Sequence, residues 1–294
     1  MAETQRSFTD LGRFGIYTFD FEHLPAARMR DAVQELEDLG WRSFWFPEVF
    51  GREAFTHAGL LLAATRRMRI VNAIANIWLR GAWAAHGAAR LLGDAYPGRY
   101  VFGLGVGGRP KPGTKLLTAM SDYLDELDSL ETPNPAPDVP VRRILAAYGP
   151  KMLALAGERT DGAHTYHVNV EHTANAREII GPDVFLGVEQ AVLFEPDPAK
   201  ARAIAREHLR LYLNSPYNIA KFRRLGYSEE EIGGGGADRI VDDLVVWGDL
   251  DTITARLHAH VEAGADHVAV QVLGVEPGAS AMPYWRMLGD ALPL

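Results

Sequence analysis

Apolar runs alternate with helical patterns almost from end to end of this sequence, and that alternation constrains the fold most. Eight runs rich in β-branched and aromatic residues are predicted strands. They cover 13–19, 43–46, 69–74, 99–102, 141–147, 163–168, 184–194 and 267–273. Eight strand–helix units in 294 residues are typical of an α/β fold of the (β/α)8 TIM barrel type. A doubly wound sheet is the alternative that the same alternation allows.

The segment after the seventh strand is longer than one connecting helix. A helix is predicted over 198–213, and helical residues continue to about 247 with a break at the glycines 233–236. We therefore expect a helical insertion between strands seven and eight. No change in composition marks a second domain, so residues 1–294 are predicted to form a single barrel domain.

The composition narrows the function classes. A formal net charge of −8 disfavours binding to nucleic acid. The absence of cysteine excludes disulfides, thiol nucleophiles and Cys-ligated metals, and it fits a cytoplasmic protein. The first residues lack the apolar region of a signal peptide, and no run reaches the length of a membrane span. We expect a cytoplasmic protein that associates with neither membrane nor nucleic acid.

The glycine-rich string YPGRYVFGLGVGGRP, residues 96–110, contains the dinucleotide-binding pattern G-x-G-x-x-G at Gly103, Gly105 and Gly108. That pattern requires a helix opening on its last glycine, whereas RPKPG follows here. The pattern therefore fails its context test. Small residues at the carboxyl end of a strand still allow a ligand to approach the backbone closely.

In a parallel barrel the active site lies at the carboxyl ends of the strands. The predicted ends offer few metal ligands and no serine nucleophile motif. Their polar residues include Asp20, Glu48, Asn76, Tyr148, Tyr166, His167, Asn169, Glu189, Gln190 and Gln271. This set suits a flat organic cofactor that supplies the chemistry while the protein supplies shape and a few hydrogen bonds. A metal-dependent hydrolase is the least favoured alternative.

An ordered set of motifs resembles the bacterial luciferase-like oxidoreductases, and most closely their coenzyme F420-dependent branch. The resemblance runs from about residue 13 to 274. The motifs are LEDLGWRSFWFPEVFGREAFTHAGLLLAATRRMRI, AIANIWLRG, YPGRYVFGLGVG, ILAAYGPKMLALAGERTDG and AGADHVAVQVL. The family fold is the (β/α)8 barrel, and the glycine-rich string corresponds to the family's strand-four end beneath the cofactor ring.

The resemblance implies a set of site residues. The acid near the deazaflavin, a hydride-carrying relative of flavin, would be Glu48, which is also the candidate catalytic residue. A non-proline cis peptide at Ala73–Ile74 would support the ring. The remaining cofactor-binding positions would be Asn76, Val106, Gly107, Ala146, Ala147 and Gly149. Simpler alternatives stay open, since Glu48 could cap the helix that begins near Glu53.

One position departs from the family pattern. The sugar-phosphate dehydrogenase of the family has a catalytic histidine directly after the strand-two acid, and here that position is Val49. We therefore do not expect the sugar-phosphate substrate of that enzyme here. An alkene, an imine or another activated hydride acceptor fits this sequence better. Substrate contacts are predicted for Tyr166, His167 and Glu189. Proton transfer would fall to Glu48, His167, Tyr166 or water.

We therefore predict an F420-dependent oxidoreductase that transfers a hydride between the deazaflavin and a small organic substrate. One alternative is an FMN-dependent monooxygenase that uses oxygen, because the same barrel supports both cofactors. Another is a non-catalytic flavin- or deazaflavin-binding protein or partner subunit. The resemblance also implies a homodimer.

Overall fold

The computed structural model describes residues 8–107, 113–275 and 280–294. Eight parallel strands close into a barrel in the order β1, β2, β3, β5, β6, β7, β8, β10, with β10 returning to β1. The strands are β1 Phe14–Tyr17, β2 Ser43–Phe46, β3 Arg69–Asn72, β4 Ala75–Asn76, β5 Tyr100–Gly105, β6 Arg142–Ala146, β7 Gly162–Thr165, β8 Phe185–Leu193, β9 Val245–Trp247 and β10 His267–Val272. The predicted (β/α)8 barrel is confirmed, and the doubly wound alternative is wrong.

Amphipathic helices surround the barrel and turn their apolar faces toward the strands. They are α1 Ala26–Asp38, α2 Ala54–Ala64, α3 Ala82–Ala95, α4 Leu116–Ser129, α5 Pro150–Arg159, α6 Val170–Ile180, α7 Pro198–Leu213, α8 Pro216–Arg224, α9 Glu229–Ile232, α10 Asp238–Leu244, α11 Leu250–Glu262 and α12 Met282–Ala291. Local chemistry fixes several starts; in α7, for example, Asp197 accepts the Lys200 N–H and Pro198 occupies the first turn. Within the described residues, no helix is long and apolar enough to cross a membrane.

The predicted insertion between the seventh and eighth barrel strands consists of α8, α9 and α10. It packs on α7 and the end of β8 as a second apolar cluster that includes Leu209, Phe222, Ile240 and Val241. The structure corrects one detail. Val245–Trp247 was assigned to the helical stretch but forms β9, which pairs in parallel with Ala191–Leu193 of β8. Three residues directly after an apolar helix are too few to show a strand period.

Aromatic rings fill the barrel interior below the carboxyl ends. The Trp45 ring stacks on His267 at 5.1 Å between ring centroids and lies 5.1 Å from the ring of His164. Trp45, His164 and His267 are all almost fully buried. The barrel interior around these rings is a packed core rather than a channel. The functional site is therefore expected at the carboxyl ends of the strands, where barrel enzymes have it.

Candidate active site

The backbone between β3 and β4 forms a bulge at Ala73 and Ile74, and the peptide bond joining these two residues is cis, as predicted. Tyr17, at the end of β1, donates a hydrogen bond from its hydroxyl to the Ala73 carbonyl over 2.9 Å. Ala73 is buried, whereas Ile74 is partly exposed. The bulge therefore presents the Ile74 side chain at the carboxyl end of the barrel.

The glycines of β5 make room for this bulge. A Cβ built on Gly103 would lie 1.7 Å from the Asn72 carbonyl oxygen, and one on Gly105 would lie 2.5 Å from Ile74 Cγ1. Gly107 has φ +50°, and a Cβ there would lie 2.3 Å from Asn76 Nδ2. The space that these glycines leave is thus taken by the neighbouring strand of the same chain. Gly108 lies outside the described residues.

Glu48 lies at the end of β2, and its carboxylate is buried. Oε1 accepts the Ala54 N–H over 3.0 Å, and Oε2 accepts the Asn76 N–H over 2.8 Å. Arg80 donates to both oxygens, with Nη1 at 2.8 Å from Oε2 and Nη2 in contact with Oε1. Four donors therefore hold the carboxylate between the start of α2, the bulge and Arg80.

These four hydrogen bonds give Glu48 a structural role that does not depend on any part in catalysis. It accepts the N–H of the first residue of α2, which is the helix-capping interaction that the sequence left open as an alternative. Arg80 was not among the predicted site residues. Burial alone would lower the pKa of Arg80, but the hydrogen bond and charge of Glu48 raise it above its usual value.

The ends of β5 and β6 supply an apolar edge beside the bulge. Val106 is partly exposed and Gly107 is exposed, and β4 pairs with β5 so that Asn76 lies opposite Gly105. Ala147 is buried, and Ala146 is partly exposed. The structure thus brings the predicted residues of β4 and β5 together.

Gly149 is the N-cap residue of α5, and no side chain caps the start of this helix. A Cβ at this position would lie 3.6 Å from Nη2 of Arg224, which comes from the end of α8. The free N–H groups of a helix start and a guanidinium together favour an anion. Arg224 was not predicted, because sequence alone did not indicate that α8 folds back over the start of α5. Arg109 and Lys111, two cations of the RPKPG segment that follows the glycine-rich string, lie outside the described residues.

A buried cluster of titratable side chains joins the segment after β7 to the middle of β8. Glu189 Oε2 accepts the His167 N–H over 3.1 Å, and His167 adopts φ +50°. Lys221 of α8 donates from Nζ to the carbonyls of Tyr166 at 3.0 Å and His167 at 2.8 Å. Burial raises the pKa of Glu189 to about 8 and lowers that of Lys221 to about 7, which the charge of Glu189 partly offsets.

The side chains of His167 and Glu189 are fully inaccessible to solvent, and His167 Nδ1 lies 3.7 Å from Glu189 Oε2. Burial lowers the pKa of His167 well below its usual value. Of the three residues predicted to contact substrate, only Tyr166 is partly exposed. The other two lie behind it.

Tyr166 belongs to a chain of hydroxyl and amide groups above the packed interior. Its hydroxyl donates to Gln271 Oε1 over 3.0 Å, and the Tyr212 hydroxyl of α7 donates to the Tyr166 hydroxyl over 3.4 Å. The Tyr166 ring lies 5.4 Å from that of Tyr17, whose hydroxyl is bound to the bulge. Burial raises the pKa of both Tyr166 and Tyr212, so the two phenols stay protonated.

In the part of the chain that the structure describes, no group of three or more histidine, aspartate or glutamate side chains is placed to hold a metal ion. The polar groups at the carboxyl end are instead phenols, amides and paired charges around an apolar edge.

The sequence model of the luciferase-like monooxygenase family matches residues 13–127 and 113–267. The chain belongs to this family. The expected resemblance is thereby confirmed over the strands that build the site. This luciferase-like protein is also 23% identical, over 84% of its own length and 91% of the relative, to a Mycobacterium tuberculosis protein described as "Putative coenzyme F420-dependent oxidoreductase".

Solved structures of other proteins share its fold. The F420-dependent tetrahydromethanopterin reductase of Methanopyrus kandleri has a TM-score of 0.72 and 16% identity, with 95% of this chain and 97% of the reductase covered. The oxygenating constituent of 3,6-diketocamphane monooxygenase from Pseudomonas putida, a complex with FMN, has a TM-score of 0.66 and 16% identity, with 94% and 95% covered. These similarities establish the barrel, since identity this low carries no more than the fold.

Proposed function

We propose that this luciferase-like protein is an oxidoreductase that binds coenzyme F420 and transfers a hydride between this cofactor and a small organic substrate. The observation that carries the proposal is the bulge at Ala73 and Ile74, where the partly exposed Ile74 side chain packs over Gly105 of β5, directly before Val106 and Gly107. The similarity to proteins named for F420 supports this cofactor.

The residues present fit a flat ring with an acidic tail. Ile74, Val106 and Gly107 form a small apolar edge where a planar ring could lie against backbone and side chain. Gly149 and Arg224 fit the tail, because the glycine leaves the helix start open and the arginine supplies positive charge beside it. When bound, a reduced deazaflavin supplies a hydride to a substrate held in contact with it.

Glu48 has a defined part in this proposal. Through Oε2 it fixes the Asn76 N–H, and through Oε1 it fixes the start of α2, so it holds the bulge in place from behind. We infer that Glu48 supports the cofactor by positioning the bulge, with Arg80 as its counterion. Tyr17 acts from the other side through its hydrogen bond to Ala73.

FMN is the second candidate cofactor, and an oxygen-using monooxygenase would be the corresponding activity. Its support is the fold shared with the FMN complex of the oxygenating constituent of 3,6-diketocamphane monooxygenase. A phosphate of FMN would fit Gly149 and Arg224 as well as the tail of F420 does, so the anion site does not discriminate between the two cofactors.

Separate titrations of F420 and FMN into the purified protein, followed by tryptophan fluorescence, test the proposal. We expect tighter binding of F420. Arg224→Met should weaken binding about tenfold, the loss of one charge-assisted contact. Arg223→Met is the matched control, because Arg223 lies on the same helix but pairs with Glu229. Preference for FMN would favour the monooxygenase, and binding of neither cofactor would contradict both proposals.

A further inference from the structure

Glu48, His167 and Tyr166 are the side chains that the sequence suggests as proton donors, and their surroundings separate them. Both carboxylate oxygens of Glu48 are occupied by Arg80 and by backbone N–H groups. The ring of His167 is fully inaccessible and packs against Tyr212 at 4.3 Å between ring centroids. Tyr166 alone of the three combines a protonated group with a partly exposed side chain.

Tyr166 also packs against the apolar cluster that contains Tyr17 and the bulge residue Ala73. Its ring is 5.4 Å from Tyr17, and the Tyr17 hydroxyl is itself engaged with the carbonyl of Ala73. The Tyr212 hydroxyl donates a hydrogen bond to the Tyr166 hydroxyl over 3.4 Å, and the Tyr166 hydroxyl donates one to Gln271 Oε1 over 3.0 Å. The Tyr166 hydroxyl therefore accepts a hydrogen bond from a second phenol, Tyr212, and donates one to the amide oxygen of Gln271.

We propose that Tyr166 is the catalytic proton donor of this oxidoreductase, that Tyr212 returns the proton to it, and that the substrate is a ketone, an aldehyde or a conjugated carbonyl compound. The proposal rests on the proposed hydride transfer. A phenol is a weak acid, so it protonates strong bases such as the alkoxide or enolate that forms when a hydride adds to these compounds. An iminium ion needs no proton after hydride addition and would have no use for this arrangement.

With a ketone as substrate, a bound reduced deazaflavin would give up a hydride, so that one of its C–H bonds breaks and the cofactor becomes oxidised. A new C–H bond would form at the carbonyl carbon while the π pair of the C=O bond moves to oxygen. The phenolic O–H bond of Tyr166 breaks while the O–H bond of the alcohol forms. The resulting phenolate takes the proton of Tyr212, which water then replaces. In the resting state Gln271 holds the Tyr166 hydroxyl in the place where the substrate oxygen would compete for it.

A measurement without cofactor tests whether a carbonyl meets this phenol. The protein is labelled with 13C at the tyrosine ζ carbons, and the Tyr166 signal is assigned by its loss in Tyr166→Phe. Cyclohexanone and 2-cyclohexenone are the probes, and cyclohexane is the control. We expect either carbonyl compound, but not cyclohexane, to shift the Tyr166 signal. A signal that neither carbonyl compound moves would overturn the assignment.

Single-turnover reduction of the same probes with reduced F420 tests the chemistry. Tyr166→Phe should slow the step about 100-fold or more and leave F420 affinity unchanged. Tyr212→Phe should slow repeated turnovers more than the first, because only later turnovers need the returned proton. Tyr217→Phe, an exposed tyrosine on α8, is the control and should match the wild type.

The outcomes separate this proposal from the proposed function. If wild-type protein binds no F420, the cofactor assignment fails, and the cofactor-free titration still decides whether Tyr166 contacts a carbonyl oxygen. If F420 binds and Tyr166→Phe reduces the probe as fast as wild type does, water is the proton donor and Tyr166 is not catalytic. A loss of F420 affinity as large as the loss of rate would make Tyr166 a cofactor-site residue and would equally overturn the proposal.

Discussion

The carbonyl oxygen of Asn72 lies where a side chain on residue 103 would begin, since a Cβ built on Gly103 comes within 1.7 Å of it. The two residues lie on β3 and β5, neighbouring strands of the barrel. The bulge can approach β5 this closely only because residue 103 has no side chain.

Gly103→Ala should therefore destabilise the protein strongly. Overpacking against side chains typically costs about 1–3 kcal/mol, and a clash with backbone has less room to relax, so we expect a loss of about 3 kcal/mol or more. Urea unfolding at equilibrium measures it. Gly87→Ala in α3 is the matched control, because a Cβ there meets nothing within 4 Å. The control should gain about 0.5–1 kcal/mol from helix propensity, and equal effects of the two changes would contradict the assignment.

Arg80→Met should expose the role of the ion pair behind the bulge. The Glu48 and Arg80 side chains are only 3% and 11% accessible, so removing Arg80 leaves a buried carboxylate without its counterion. We expect a loss of about 3–5 kcal/mol in the free energy of unfolding. Adding Glu48→Gln to Arg80→Met should restore part of that loss, because no unpaired carboxylate then remains buried at position 48.

The control for Arg80 is a surface ion pair. Arg286 pairs with Glu35 while its side chain is 55% accessible, and Arg286→Met should cost no more than about 1 kcal/mol. If Arg80→Met costs no more than this control, the pair does not hold the bulge.

The barrel could be predicted from the sequence because its signals are local. The period of each helix and the apolar runs of each strand are visible within about ten to fifteen residues. The partners of Arg80 and Lys221 are not, because they lie 32 and 54 residues away along the chain. The resemblance to the family indicated that Glu48 is an acid of the site, but it did not indicate what holds the carboxylate. Those contacts come from Arg80 and the start of α2.

Acid should destabilise the protein through buried histidines, and His57 offers the clearest test. Burial, with a contribution from Arg52, lowers the pKa of His57 to about 4 from 6.5. Between these two values the unfolded chain binds a proton that the folded chain does not, so stability falls as the pH falls from about 6.5 to about 4. His57→Phe should remove about 1.4 kcal/mol per pH unit from that slope.

Denaturant unfolding across this pH range measures the slope for His57→Phe. Phe46, whose ring centroid lies 4.3 Å from that of His57, provides the control. Phe46→Leu disturbs the same packing without removing a titrating group, so its loss of stability should be independent of pH. A slope left intact by His57→Phe would show that the imidazole is protonated in the folded state.

Glu189→Gln should change the pH dependence of stability in the direction opposite to that of His57→Phe. Burial raises the pKa of Glu189 to about 8 from 4.5, and Oε1 has no hydrogen-bond partner. The folded chain then keeps a proton that the unfolded chain releases, so this residue makes stability fall as the pH rises through that window. Between about pH 5 and 7, below the pKa of Lys221, the variant should gain about 1.4 kcal/mol per pH unit relative to wild type. Glu158→Gln, an exposed acid on α5, controls for the change in net charge. A constant difference between Glu189→Gln and wild type would mean that the carboxylate is ionised in the folded protein and held by Lys221.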